Sequence, residues 1–96
     1  MLVWVIYDIS KNKARRLVSD MALKYGLYRV QKSVFLGRIN KNQLDELVVA
    51  SEEFIDKKTD SVYVFPMCQE DFRSTILLGQ AFDKKMVNDE IKSLFF

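Results

Sequence analysis

Residues 2–9, LVWVIYDI, open the chain with five apolar residues, then Tyr7 and Asp8, then one more apolar residue. A run of β-branched and aromatic residues of this length predicts a strand buried on both faces at the centre of a sheet. Side chains alternate along a strand, so Asp8 shares one face with Leu2, Trp4 and Ile6, while Tyr7 shares the other with Val3, Val5 and Ile9. Asp8 breaks the pattern. An unpaired buried carboxylate is too costly to keep, so Asp8 must lie at the strand's exposed end, find a partner, or bind a cation.

The apolar spacing then becomes helical: Ala14, Leu17, Val18, Met21, Ala22 and Tyr25 fall on one face. Ser10 or Asn12 can cap this helix, and Gly26 ends it by admitting a left-handed backbone. Arg15 and Arg16 lie in the first turns, against the helix dipole, near the strand end that carries Asp8. Residues 27–39, LYRVQKSVFLGRI, read as one long strand or as a hairpin turning near Lys32. The hairpin is preferred, because thirteen residues would make an unusually long strand for so small a domain. Asn40 with Gln43 forms a capping-box pattern, and Leu44, Leu47, Val48, Phe54 and Ile55 define a second helix whose outer surface is acidic. Residues 61–67, SVYVFPM, predict a strand, as do residues 72–78, FRSTILL. The order is then βαββαβ plus a last strand, an α+β, ferredoxin-like sandwich with an antiparallel sheet and two helices on one face. The other face would expose apolar side chains from the first strand, which predicts a homodimer through that face. The whole chain, 1–96, reads as a single domain whose tail, 83–96, ends in Leu94, Phe95 and Phe96 and is expected to dock.

Composition narrows the chemistry. The chain has no histidine and a single cysteine, Cys68, which removes internal disulfides, cysteine-rich zinc sites and the commonest general base. Oxygen ligands alone point to a hard cation such as Mg²⁺. Residues 1–41 carry nine basic residues against Asp8 and Asp20, a balance of +7, whereas 42–96 carry six against eleven acids, a balance of −5. Such a split suggests a nucleic-acid face, set against the alternative of ordinary solvated charge. Its candidate phosphate contacts are Lys11, Lys13, Arg15, Arg16, Lys32, Arg38 and Lys41. No apolar run approaches the roughly 20 residues of a membrane span and no charged leader precedes the first strand, so a cytoplasmic protein with no membrane contact is expected.

The Tyr7-Asp8-Ile9-Ser10 strand end, the arginines after it, Tyr25-Gly26 and the stretch Val30-Gln31-Lys32-Ser33-Val34-Phe35 resemble the small second core protein of CRISPR adaptation. This is the CRISPR-associated endoribonuclease family, the partner of the CRISPR integrase. The resemblance covers residues 1–78 and implies a ferredoxin-like homodimer, with the C-terminal segment of one chain reaching the other chain's sheet. It implies a catalytic, metal-binding Asp8 with Tyr7 beside it, Arg15 or Arg16 together with Arg29 as basic residues near the site, and Ser33 and Phe35 as its walls. Mg²⁺ would be the cofactor.

Three functions follow as expectations. A Mg²⁺-dependent endonuclease of RNA or DNA would join Asp8 to its symmetry mate across a two-fold axis. A non-catalytic bridge would present the basic half to duplex backbone and hold the integrase by its acidic half or tail. A stand-alone, toxin-like endoribonuclease of the same fold is a variant of the first. An RNA-binding module would need exposed aromatics, and its candidates Phe35, Tyr63 and Phe65 are expected in the core.

Overall fold

The computed structural model describes residues 1–81, so the expected docking tail at 83–96 lies outside the described residues. The elements run β1 (Leu2–Asp8), α1 (Asn12–Lys24), β2 (Tyr28–Gln31), β3 (Val34–Arg38), α2 (Lys41–Phe54), β4 (Ser61–Met67) and α3 (Gln69–Arg73). Every pairing is antiparallel, in the order β2-β3-β1-β4, so the apolar first strand does occupy the interior of the sheet. This is the ferredoxin-like α+β arrangement.

Local chemistry explains most of the boundaries. Gly26 takes φ 84° after α1, and the amides of Gly26 and Leu27 reach back to the carbonyls of Leu23 and Ala22 at 2.9 and 3.0 Å. That Schellman closure delivers buried Leu27 straight into the core. The expected capping box of α2 is present: Asn40 Oδ1 accepts from the Gln43 amide at 2.8 Å, and Gln43 Oε1 accepts from the Asn40 amide at 3.0 Å. The hairpin turns at Lys32 and Ser33, and a bulge between Arg29 and Gln31 places Val30 as the extra residue of β2. At α1 the expectation fails. Its N-cap is Lys11, with no side-chain cap bond, and neither Ser10 nor Asn12 serves.

One face of the sheet is sealed by α1 and α2 through Val3, Val5, Tyr7, Val18, Ala22, Phe35 and Leu47. The strand expected at 72–78 is absent among the described residues; in its place stands α3, capped by Cys68 Sγ on the Asp71 amide at 3.4 Å. Phe72 from α3 packs on the other face against Leu2, Trp4, Val30 and Leu36. That face is therefore only half open, not fully bare as its alternation suggested. On its uncovered part lie Tyr63 and Phe65, 53% and 46% exposed, with parallel rings 6.1 Å apart. Of the three aromatics expected in the core, only Phe35 is there.

Candidate active site and nucleic-acid interface

Antiparallel pairing brings the end of β1, the β2–β3 turn, the start of β4 and the first turn of α1 to one end of the sheet. Asp8 sits there, paired through its backbone with Ser61. Its side chain is exposed on the face away from α1 and α2, and among the described residues it has no hydrogen-bond or ion-pair partner. It does not cap α1. A free carboxylate at a strand end is one of the arrangements its apolar surroundings left open.

Tyr7 points the other way. It is buried, its hydroxyl donates to the Lys32 carbonyl at 3.2 Å, and its amide donates to the Ser33 carbonyl at 3.0 Å. The Tyr7 ring stacks on Phe35 at 6.2 Å, and the Arg29 guanidinium lies 5.1 Å from the centre of the Phe35 ring. Arg29 Nε is buried with no hydrogen-bond partner among the described residues, so the aromatic contact is what holds this cation. Tyr7, Phe35 and Arg29 thus form a column on the helix side that fixes the hairpin turn. Tyr7 and Phe35 lie buried on the sheet face opposite the Asp8 carboxylate.

The basic residues divide. Lys11, Lys13, Arg15 and Arg16 are exposed on the first turns of α1, and Lys32 is exposed on the turn beside half-buried Ser33, all at the Asp8 end. Arg15 lies one turn before buried Ser19 and so on the flank that leans to the sheet, whereas Arg16 lies one turn before exposed Asp20. Arg38 and Lys41 are at the far end, since Arg38 pairs with Leu2, a strand length of roughly 20 Å away. There Arg38 donates to Gln69 Oε1 at 3.2 Å and Lys41 pairs with Asp45 at 3.2 Å. These two stand apart from the basic cluster around Asp8.

The sequence reading passed over Asp60. Its Oδ1 accepts from the Ser10 amide and the Ser10 hydroxyl, both at 3.1 Å, and its Oδ2 accepts from the Asp56 amide at 2.9 Å. The backbone amides of Asp56 and Ser10 hold this carboxyl below its ordinary range. The available signal was the run Asp56-Lys57-Lys58-Thr59-Asp60, where an acid opens a turn by accepting from the amide two residues on; Lys58 N donates to Asp56 Oδ1 at 3.0 Å.

For a metal, Asp8 offers one carboxylate, whose two hard oxygens have no partner among the described residues. No group of three or more His, Cys, Asp or Glu residues is placed to hold an ion among the described residues. One carboxylate fits Mg²⁺, which keeps several waters and takes substrate phosphate oxygens for the rest. No described helix is long and apolar enough to cross a membrane.

Comparison with known proteins agrees with this geometry. The family described as CRISPR associated protein Cas2 matches residues 1–75, a span that includes Asp8, the hairpin and Asp60. "CRISPR-associated endoribonuclease Cas2 1" of Archaeoglobus fulgidus is 33% identical over 79 residues, covering 82% of this chain and 84% of the relative. A "CRISPR-associated endonuclease Cas1/endonuclease Cas2 fusion" of Thermoproteus tenax is 43% identical over 47 residues, 49% of this chain and 18% of the fusion. The crystal structure of Streptococcus pyogenes Cas2 superposes with a TM-score of 0.69 at 30% identity, covering 82% of this chain and all (100%) of that one. With more than two thirds of its length matched in sequence and the same sheet and helices in space, the chain belongs to the Cas2 family of CRISPR-associated proteins.

Proposed function

We propose that the protein acts in the cytoplasm in CRISPR spacer acquisition, as a homodimer that binds nucleic-acid backbone and cleaves phosphodiesters with Mg²⁺ at Asp8. The observation that carries this reading is an exposed, unpartnered carboxylate at the one end of the sheet where Lys11, Lys13, Arg15, Arg16 and Lys32 gather. Two copies would pair through the uncovered sheet around Tyr63 and Phe65, giving the site a second Asp8. Bound Mg²⁺ would supply charge neutralisation on the scissile phosphate and a more acidic water. The lysines and Arg15 hold neighbouring phosphates, and Tyr7, Phe35 and Arg29 keep the Lys32–Ser33 turn in place. RNA is the first substrate to test, because the Archaeoglobus relative bears the name endoribonuclease.

A second reading, a non-catalytic bridge to the integrase, draws on the Thermoproteus fusion, in which the homologous segment is joined to an endonuclease Cas1. It also draws on the sparse chemistry beside Asp8, in a chain with no histidine. The test is cleavage of labelled RNA, single-stranded DNA and duplex DNA with and without Mg²⁺, beside Asp8→Asn purified identically. Mg²⁺-dependent cleavage that drops by about two to three orders of magnitude in the variant supports the nuclease, being several kcal/mol of barrier. Cleavage equal in both proteins overturns it, and no cleavage in either assigns the bridge.

A further inference from the structure

The acidic half of the sequence contributes two cations to the Asp8 end, and the fold shows how. Lys57 and Lys58 sit exposed on the turn between α2 and β4, at the same end of the sheet as Asp8. That turn is tied to the loop after β1 by the Ser10 amide and hydroxyl on Asp60 Oδ1. Within the turn, the carboxylates of Asp56 and Asp60 are occupied by the amides of Lys58, Asp56 and Ser10. The carboxylates there accept from backbone amides, while Lys57 and Lys58 are exposed. Lys57 makes only a 3.9 Å contact with exposed Glu52, and Lys58 has no ion pair among the described residues.

We propose that the 56–60 turn is a second backbone-phosphate-binding segment, held beside the basic start of α1 by the Ser10–Asp60 contact so that one nucleic-acid strand runs across both. The surface is continuous. Lys11 is the neighbour of Ser10 and Lys58 lies two residues from Asp60, so their backbones are separated by less than roughly 20 Å. That is the rise of about six nucleotides on one strand of a duplex, a span over which several phosphates meet both segments. The occupant is polyanionic backbone, which exposed lysine ammonium groups meet as point charges. Asp60 acts through this placement: it touches no substrate and is a positioning residue.

This inference rests on the nucleic-acid-binding function proposed above. The experiment measures binding of a labelled duplex DNA and a labelled single-stranded RNA of matched length by the full chain across a salt series. It compares the wild type, Lys57→Ala with Lys58→Ala, and Arg15→Ala with Arg16→Ala. Each lost phosphate contact lowers the slope of log affinity against log salt by about 0.9 on duplex and about 0.7 on a single strand. The lysine pair is expected to lower it by about twice that. Asp60→Ala, with both lysines present, is expected to weaken binding, and the lysine changes then cost less than they do in the wild type. Thermal melts identify any unfolding by Asp60→Ala, in which case Asp60→Asn, which keeps one oxygen acceptor, carries that arm. A lysine variant with an unchanged slope overturns the second segment; if the arginine variant nevertheless loses slope, the proposed function survives. A flat slope in all proteins overturns both. Strict additivity of the Asp60 and lysine changes overturns the positioning role.

Discussion

Leu2 and Asp8 point to the same side of the same strand, yet one is 2% exposed and the other lies open to solvent. Between them Trp4 is still buried and Ile6 is already half exposed. The gradient comes from α3, whose Phe72 lies over the Leu2 half of the sheet and leaves the Asp8 half uncovered. On the covered half the sheet face contributes to the chain's own stability. On the part left uncovered, the end of β1 and the neighbouring β4 edge, the same face holds Tyr63, Phe65 and Asp8, groups available to a second molecule. A single five-residue helix thus separates the part of the strand that stabilises from the part that is free to bind.

The sharpest way to break that contrast is Phe72→Ala, which empties a site 1% exposed and uncovers Trp4. It should cost about 3–5 kcal/mol in chemical denaturation, and a loss below about 1 kcal/mol would show that α3 is not a true cover. Next comes charge on the open half. Tyr63→Glu combined with Phe65→Glu should leave the monomer's unfolding midpoint nearly unchanged while weakening self-association by on the order of a hundredfold in sedimentation. An equal loss of fold stability would mean that these rings stabilise the monomer instead. The helix-covered face supplies the control. Gly37→Ala would place a Cβ 2.9 Å from Leu27 Cδ2 and 3.1 Å from its Cα, and should destabilise by about 1–3 kcal/mol with no change in association.

The smallest effect is an acid-limb one. The Asp60 carboxyl titrates below its ordinary 3.8 in the folded chain. Its contribution is therefore fully present above that value and disappears as pH falls through the depressed one. Asp60→Asn should lower stability at neutral pH and flatten the loss on that limb, so that the two proteins converge as pH falls. Equal acid limbs in the two proteins would remove Asp60 from the account.

Legibility from sequence followed the range of the interactions. The capping box at Asn40, the closure at Gly26 and the turn at Lys32 rest on neighbours within a few residues, and all three stand. Residues 72–78 misled because their β-rich composition outweighed the local signs of a helix start. Those signs were present: Cys68 accepting at the cap, Glu70 and Asp71 in the first turn, and Arg73 in the last. The fate of the basic residues was beyond local reading. Only the register that sets Leu2 against Arg38 sends Arg38 and Lys41 away from Asp8, and only β1–β4 pairing with a contact spanning 50 positions brings the 56–60 turn to Ser10. Asp8 itself was legible as an anomaly, because a charge ending an apolar strand needs a reason wherever the strand lies.

The chain has a single tryptophan, and it is Trp4, 8% exposed with its ring 6.2 Å from that of Phe72. Its emission therefore reads one event before any other: the lifting of α3 from the sheet. Excited alone, it separates undocking of that cover from collapse of the helix-side core, which holds no indole. The protein carries its own optical gauge for the boundary between the covered and uncovered parts of its sheet.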